Sequence, residues 1–133
     1  MCRSAVFPKV KFLIMDEPIR VLFVCALNRW RSPTAEHLYI SDPRLQVRSA
    51  GIRSAAKRRV SAKDLAWAEY IFVMDGEQKK WIQESFRELT LPPILVLDIP
   101  DEYEYMDPRL QHALRSALDP ELDAIWNERI FGA

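Results

Sequence analysis

The stretch VLFVCALNRWRSPTAEHLY, Val21 to Tyr39, decides how the chain is read. It opens on an unbroken apolar run, ends that run with Cys25, and places Arg31 six residues later, just before a helical pattern. A continuously apolar run of this length is the mark of a strand covered on both faces, as in a parallel sheet. Ser32 is a candidate N-cap for the helix and Pro33 falls at the favoured first helical position.

Working outward, the first strand takes in IRVLFV (19–24), and three further β-type runs follow: LQVRS (45–49), YIFVM (70–74) and ILVL (94–97). Helical patterns separate them. VSAKDLAWA (60–68) carries Val60, Leu65 and Trp67 near helical spacing, and GEQKKWIQESFREL (76–89) sets Trp81, Ile82, Phe86 and Leu89 on one face. Two more helices are expected at the C-terminus, from about Pro108 to Leu118 and from Pro120 to about Arg129. Alternation of this kind predicts an α/β, three-layer domain: a four-stranded parallel sheet with helices on both faces. Ligands of such a sheet gather at the carboxyl ends of its strands.

Length and composition agree with one domain, expected over 19–133, preceded by a poorly ordered N-terminal extension over 1–18. The extension lacks the apolar segment and cleavage site of a signal peptide. Met15 is an alternative start of translation, and a strand over VKFLI (10–14) is the rival reading. Nineteen basic residues balance nineteen acidic ones, which argues against a general nucleic-acid or membrane-surface binder. No apolar run approaches membrane-spanning length. Two cysteines, Cys2 and Cys25, give neither a disulfide framework nor, with two histidines, a structural zinc site, and a reducing cytoplasm fits best. Charge is nonetheless uneven: residues 44–63 hold seven bases and no acid, and residues 98–108 hold five acids and no base.

Cys25 sits where this sheet binds ligands. The turn ALNRW (26–30) can wrap backbone N–H groups around a small concavity, and the helix N-terminus adds partial positive charge. A tetrahedral oxyanion suits that cradle. Arg31 can give it two parallel hydrogen bonds, which a lysine cannot reproduce. The same surroundings favour a thiolate, making Cys25 a nucleophile aimed at phosphorus. Alone, a cysteine ending a strand is most often inert core and an arginine most often a solvated surface residue. The pattern C-x5-R-S between a strand and a helix reverses those readings.

At these residues the chain resembles the low-molecular-weight protein tyrosine phosphatases, whose signature reads V-C-x-G-N-x-C-R-S-P-x-A-E. Here it stands as VCALNRWRSPTAE (24–36), and the likeness continues in RSAGI (48–52), WAEYIFVMD (67–75) and LDIPDEYEYMDP (97–108), over about Arg20 to Leu118, closest to a short subgroup of the family. The resemblance implies a metal-independent, cofactor-free hydrolase acting on a phosphotyrosine protein or a small aryl phosphate. It makes Cys25 the nucleophile that forms a phosphocysteine, Arg31 the phosphate clamp and Ser32 the hydroxyl that stabilises the thiolate. Asn28 holds the cradle open. Ala26, Leu27, Asn28, Arg29, Trp30, Arg31 and Ser32 together form the phosphate-binding loop. Asp101 matches the acid that protonates the leaving oxygen and later activates water, with Asp98 the alternative. Of Tyr103 and Tyr105, Tyr103 is the better match to the tyrosine that flanks the substrate ring, with packing against the sheet as its other reading; Trp30, inside the loop, either walls the substrate pocket or turns back into the protein.

Three departures stand out. Leu27 replaces a loop glycine, Trp30 replaces a second loop cysteine, and Glu102 replaces the proline after the acid. Without a cysteine at position 30, Cys25 has no vicinal thiol to trap a sulfenic acid. His37 and His112 are read as surface or packing residues, and the basic run 44–63 as a solvated face able to draw in anionic substrates. A thiol-dependent arsenate reductase and a phosphate- or phosphoprotein-binding module without turnover are the alternative functions.

Overall fold

A computed structural model describes residues 17–132. The expectations about Cys2, Met15 and a strand over 10–14 fall outside the described residues. β1 (Ile19–Cys25), α1 (Arg31–Tyr39), β2 (Leu45–Gly51), α2 (Ala62–Trp67), β3 (Tyr70–Val73), α3 (Gly76–Ser85), β4 (Ile94–Val96) and α4 (Pro108–Phe131) follow one another along the chain. The four strands form one parallel sheet in the order β2-β1-β3-β4. The chain therefore leaves β1 to one side and returns to its other side for β3. That reversal opens a crevice at the carboxyl end of β1, where Cys25 lies.

Strand periodicity divides the core. Ile19, Val21, Phe23 and Cys25 face one layer with Ala35 and Tyr39 of α1 and Leu110, Leu114, Leu118 and Leu122 of α4. Leu22 and Val24 face the other, with Leu65 of α2 and Ile82 of α3. Both faces of β1 are sealed, which is why its sequence does not alternate. No helix among the described residues is long and apolar enough to cross a membrane.

Besides α3, which ends at Ser85 and leaves Phe86 and Leu89 beyond the helix, two helical expectations need correction. The C-terminal pair is one helix of 24 residues that runs through Pro120. An internal proline removes a hydrogen bond and costs about 3 kcal/mol. Against it stand Leu110, Leu114, Leu118 and Leu122, spaced by four and fully buried on either side of the proline. Each is worth roughly 1.5–3 kcal/mol of burial, so the continuous stripe outweighs the break. Tyr39 strengthens the docking by donating to Asp119 Oδ1 at 2.5 Å, and burial followed by that carboxylate pushes the phenol's pKa up. The second correction is at α1. Its first residue is Arg31 and its N-cap position is Trp30, which makes no side-chain cap bond. Ser32 lies inside the first turn and Pro33 is the third helical residue, still among the positions whose N–H has no intrahelical acceptor.

One glycine is demanded by contact. A Cβ on Gly51 would lie 2.7 Å from the Ala26 carbonyl oxygen and 2.8 Å from the Asn28 nitrogen, so the end of β2 can support the loop after β1 only without a side chain.

Candidate active site

The loop from Ala26 to Trp30 is folded by its own backbone. The Ala26 carbonyl accepts from Ile52 and Arg53 N–H, and the Leu27 carbonyl accepts from Lys57 N–H, each at 3.0 Å. With both carbonyls turned outward, planar trans peptides turn the following N–H groups of Leu27 and Asn28 to the opposite side. The Asn28 N–H indeed reaches Cys25 Sγ at 3.2 Å. The loop's left-handed residue is Asn28, at φ 54°, a conformation asparagine tolerates. Leu27 is not in that region, so the position a glycine holds in the family signature imposes no glycine-only backbone here.

Side chains extend this frame into a chain of polar contacts around the thiol. Ser32 Oγ lies 3.0 Å from Cys25 Sγ and 3.3 Å from the Ala50 carbonyl. Asn28 Nδ2 donates to Ser32 Oγ and to Ser49 Oγ, both at 3.0 Å, and Ser49 Oγ donates to Glu36 Oε1 at 2.5 Å. Cys25, Asn28, Ser32 and Ser49 are all buried. Ser32 thus acts as a hydrogen-bond partner of the sulfur and not as the helix cap expected from sequence.

Arg31 is 3% exposed, a buried cation that needs fixed partners. Its Nη1 donates to Asp75 Oδ2 at 3.2 Å and to the Ile99 carbonyl at 3.0 Å. The Nε and Nη2 edge makes no hydrogen bond to the described residues, and Nε stands 3.6 Å from Asp101 Oδ1. One edge of the guanidinium is anchored, and the other meets Asp101 in a longer ion pair that leaves its hydrogen-bond donors unused among the described residues. Sequence reasoning gave Asp75 no role. Its place beside the carboxyl end of β1 follows from the pairing of β3 with β1, two residues before it.

Cys25, Leu27, Arg29, Trp30, Arg31 and Asp101 line a cavity of about 20 Å³. Asp101 enters it because Asp98, at φ 59°, reverses the chain after β4, whereupon Ile99 N–H bonds to the Met74 carbonyl. Asp98 itself is exposed and does not line the cavity. Leu27, Arg29 and Trp30, the last 38% exposed, form the mouth. Tyr103 is not among the lining residues: it is partly buried against the core, with the Arg109 guanidinium 5.3 Å from its ring centre. Packing, the other sequence reading of Tyr103, is the one its surroundings fit. Tyr105 is exposed and meets His37 of α1, hydroxyl to Nδ1, at 3.0 Å.

A buried sulfur at the end of a central strand, ringed by N–H and hydroxyl donors and faced by an anchored guanidinium and a carboxylate, can hold an oxyanion and attack it. No protein-family model matches the chain, and no curated protein sequence does. Solved structures do. The arginine phosphatase YwlE from Geobacillus stearothermophilus is 21% identical, with 85% of this chain and 96% of that one covered at a TM-score of 0.63. SP-PTP, a low-molecular-weight protein tyrosine phosphatase from Streptococcus pyogenes, is 18% identical over 80% and 93%, at 0.64. The tyrosine phosphatase Wzb from Escherichia coli K30, in complex with phosphate, is 19% identical over 80% and 97%, at 0.65. The chain has the low-molecular-weight protein tyrosine phosphatase fold. Within that fold, the loop after β1, the aspartate after β3 and the acidic segment after β4 come together at the carboxyl ends of the strands.

Proposed function

We propose that the chain is a cysteine-dependent, metal-independent phosphomonoester hydrolase of the cytoplasm that acts on phosphotyrosine or another aryl phosphate. Cys25 Sγ attacks phosphorus, the bond to the aryl oxygen breaks, and Asp101 gives that oxygen its proton. The resulting phosphocysteine is then hydrolysed: Asp101, now a carboxylate, takes a proton from the attacking water, inorganic phosphate leaves and the thiolate returns. Leu27 and Asn28 N–H groups and the free edge of Arg31 receive the equatorial oxygens, and the Ser32 hydroxyl stabilises the sulfur as it departs.

One observation carries the reading: Arg31, anchored on its Nη1 side by Asp75 and Ile99, lines one cavity with Cys25 and Asp101, whose Oδ1 stands 3.6 Å from Arg31 Nε. A module that only bound phosphate would need neither the nucleophile nor the acid. An arsenate reductase of the relay type needs further thiols, and Cys25 is the free cysteine among the described residues. The test is hydrolysis of an aryl phosphate, inhibited by vanadate and abolished in Cys25→Ser, with phosphoserine and phosphoarginine peptides as controls. Turnover that survives Cys25→Ser would refute the mechanism, and equal rates on phosphoserine and phosphotyrosine would remove the aryl preference.

A further inference from the structure

The basic run 44–63 divides once its partners are known. Arg44 is held by Asp42 and Asp123 at 2.9 and 2.8 Å. Arg48 and Arg58 share the buried carboxylate of Asp64, and Arg48 also lies over the Trp67 ring. These three are structural. Lys63, on α2, is exposed and makes no ion pair to the described residues; Arg53, Lys57 and Arg59 are also exposed, and Lys57 and Arg59 make no ion pair to the described residues. Arg53, Lys57 and Arg59 sit on the turn that the phosphate loop itself holds, through Arg53 N–H on the Ala26 carbonyl and Lys57 N–H on the Leu27 carbonyl.

Beside this turn runs an open groove of about 290 Å³ lined by Ile52, Arg53, Ser54, Arg59, Glu77 and Trp81. Its two walls are tied to the phosphate loop and to the residue that anchors Arg31. One continues from the loop contacts just named, and the other starts two residues after Asp75, the anchor of Arg31. The Arg59 guanidinium lies 5.4 Å from the Trp81 ring centre and its Nε donates to the Ile52 carbonyl, which keeps the charge in place at the groove. Arg53 meets the groove's single acid, Glu77, at 2.9 Å, but both partners are more than half exposed. Such a pair contributes little and is readily exchanged. The groove therefore presents two cations, Arg53 and Arg59, against one replaceable anion.

We propose that this groove is a docking site for an acidic segment of a phosphoprotein, next to the phosphorylated residue. A substrate carboxylate takes the place of Glu77 on Arg53, a second meets Arg59, and the Trp81 face supports the stem of the bound chain. The proposal rests on the phosphatase reading and adds to it the recognition of what surrounds the phosphate.

The test compares kcat/KM at low salt for phosphotyrosine peptides flanked by glutamates or by lysines, with a small aryl phosphate as a substrate that has no flanks. The wild-type protein should prefer the glutamate peptide. Arg53→Glu and Arg59→Glu should each lower its kcat/KM about fivefold, on the scale of exposed charge pairs, and raise that of the lysine peptide. Glu77→Gln should shift the preference the other way, and the preference should fade with added salt. The small aryl phosphate should be hydrolysed at the same rate by all four proteins, which also reports that each is folded. A wild-type enzyme indifferent to flanking charge, or a preference that survives both reversals, overturns the docking site while leaving the phosphatase reading intact. Failure to hydrolyse even the small ester overturns both.

Discussion

Asp75→Asn separates two duties of one carboxylate. Asp75 Oδ2 accepts from buried Arg31, while Oδ1 caps α3 by accepting from Glu77 N–H at 3.0 Å. Asparagine caps a helix about as well as aspartate, and Asp75 N–H keeps its bond to Gln78 Oε1, so the start of α3 should survive. What is lost is the charge opposite a guanidinium that is 3% exposed. A hydrogen bond to a charged group contributes about 1.5–3 kcal/mol. Asp75 is 42% exposed, so solvent screens it, and about 1–2 kcal/mol is the appropriate range. If that energy holds the free edge of Arg31 in line with the transferring phosphoryl group, kcat/KM on an aryl phosphate should fall about 5–30-fold. The assay is steady-state kinetics on the small ester, paired with thermal unfolding. Melting should fall in both variants, and further in Asp75→Ala, which also loses the cap at a cost of about 1 kcal/mol. An Asp75→Asn enzyme within twofold of wild type would refute the claim that Asp75 positions Arg31.

The other expectations are briefer. Arg31→Lys should cripple turnover although it keeps the charge, because a point charge cannot span two oxygens; activity within a few-fold of wild type would sink the clamp. Asp101→Asn should cost about 10²–10⁴-fold on phosphotyrosine and less on an ester with a better leaving group, whereas Asp98→Asn should show no dependence on the leaving group. Pro120→Ala should raise the melting temperature, since it restores a helix hydrogen bond inside a face that is already packed, and a fall would mean that α4 depends on the proline. Asp42, held below the usual carboxylate range by its hydrogen bonds to Arg44, stabilises the fold fully above the ordinary value of 3.8 and loses that contribution as pH falls through its lower native value. Asp42→Asn should therefore destabilise at neutral pH and converge with wild type in strong acid, as followed by urea unfolding.

How far the sequence could be read depended on whether the deciding interaction was local. The strands were legible because burial on both faces writes itself as an apolar run, and β1 and β2 differ from their expected ends by one and two residues. Cys25 and Arg31 were legible because both flank a single loop whose frame is built within a few residues. The C-terminal helix was not, because Pro120 is a local signal for a break and the stripe that overrides it is tertiary, made against Phe23, Tyr39 and Phe72 across the sheet. Tyr103 was given to the substrate by position along the chain, yet its side chain meets the core and Arg109. The basic run shows the same limit from the other side. Seven like charges in twenty residues read as one face, but Asp42, Asp123 and Asp64 reach Arg44, Arg48 and Arg58 from the turn before β2, from α4 and from α2. Which cations remain for a ligand is fixed by those partners. Of the seven, Lys63 on α2 is exposed and unpaired among the described residues, while Arg53, Lys57 and Arg59 lie on the turn that touches the phosphate loop, and no count of charges along the chain could have selected them.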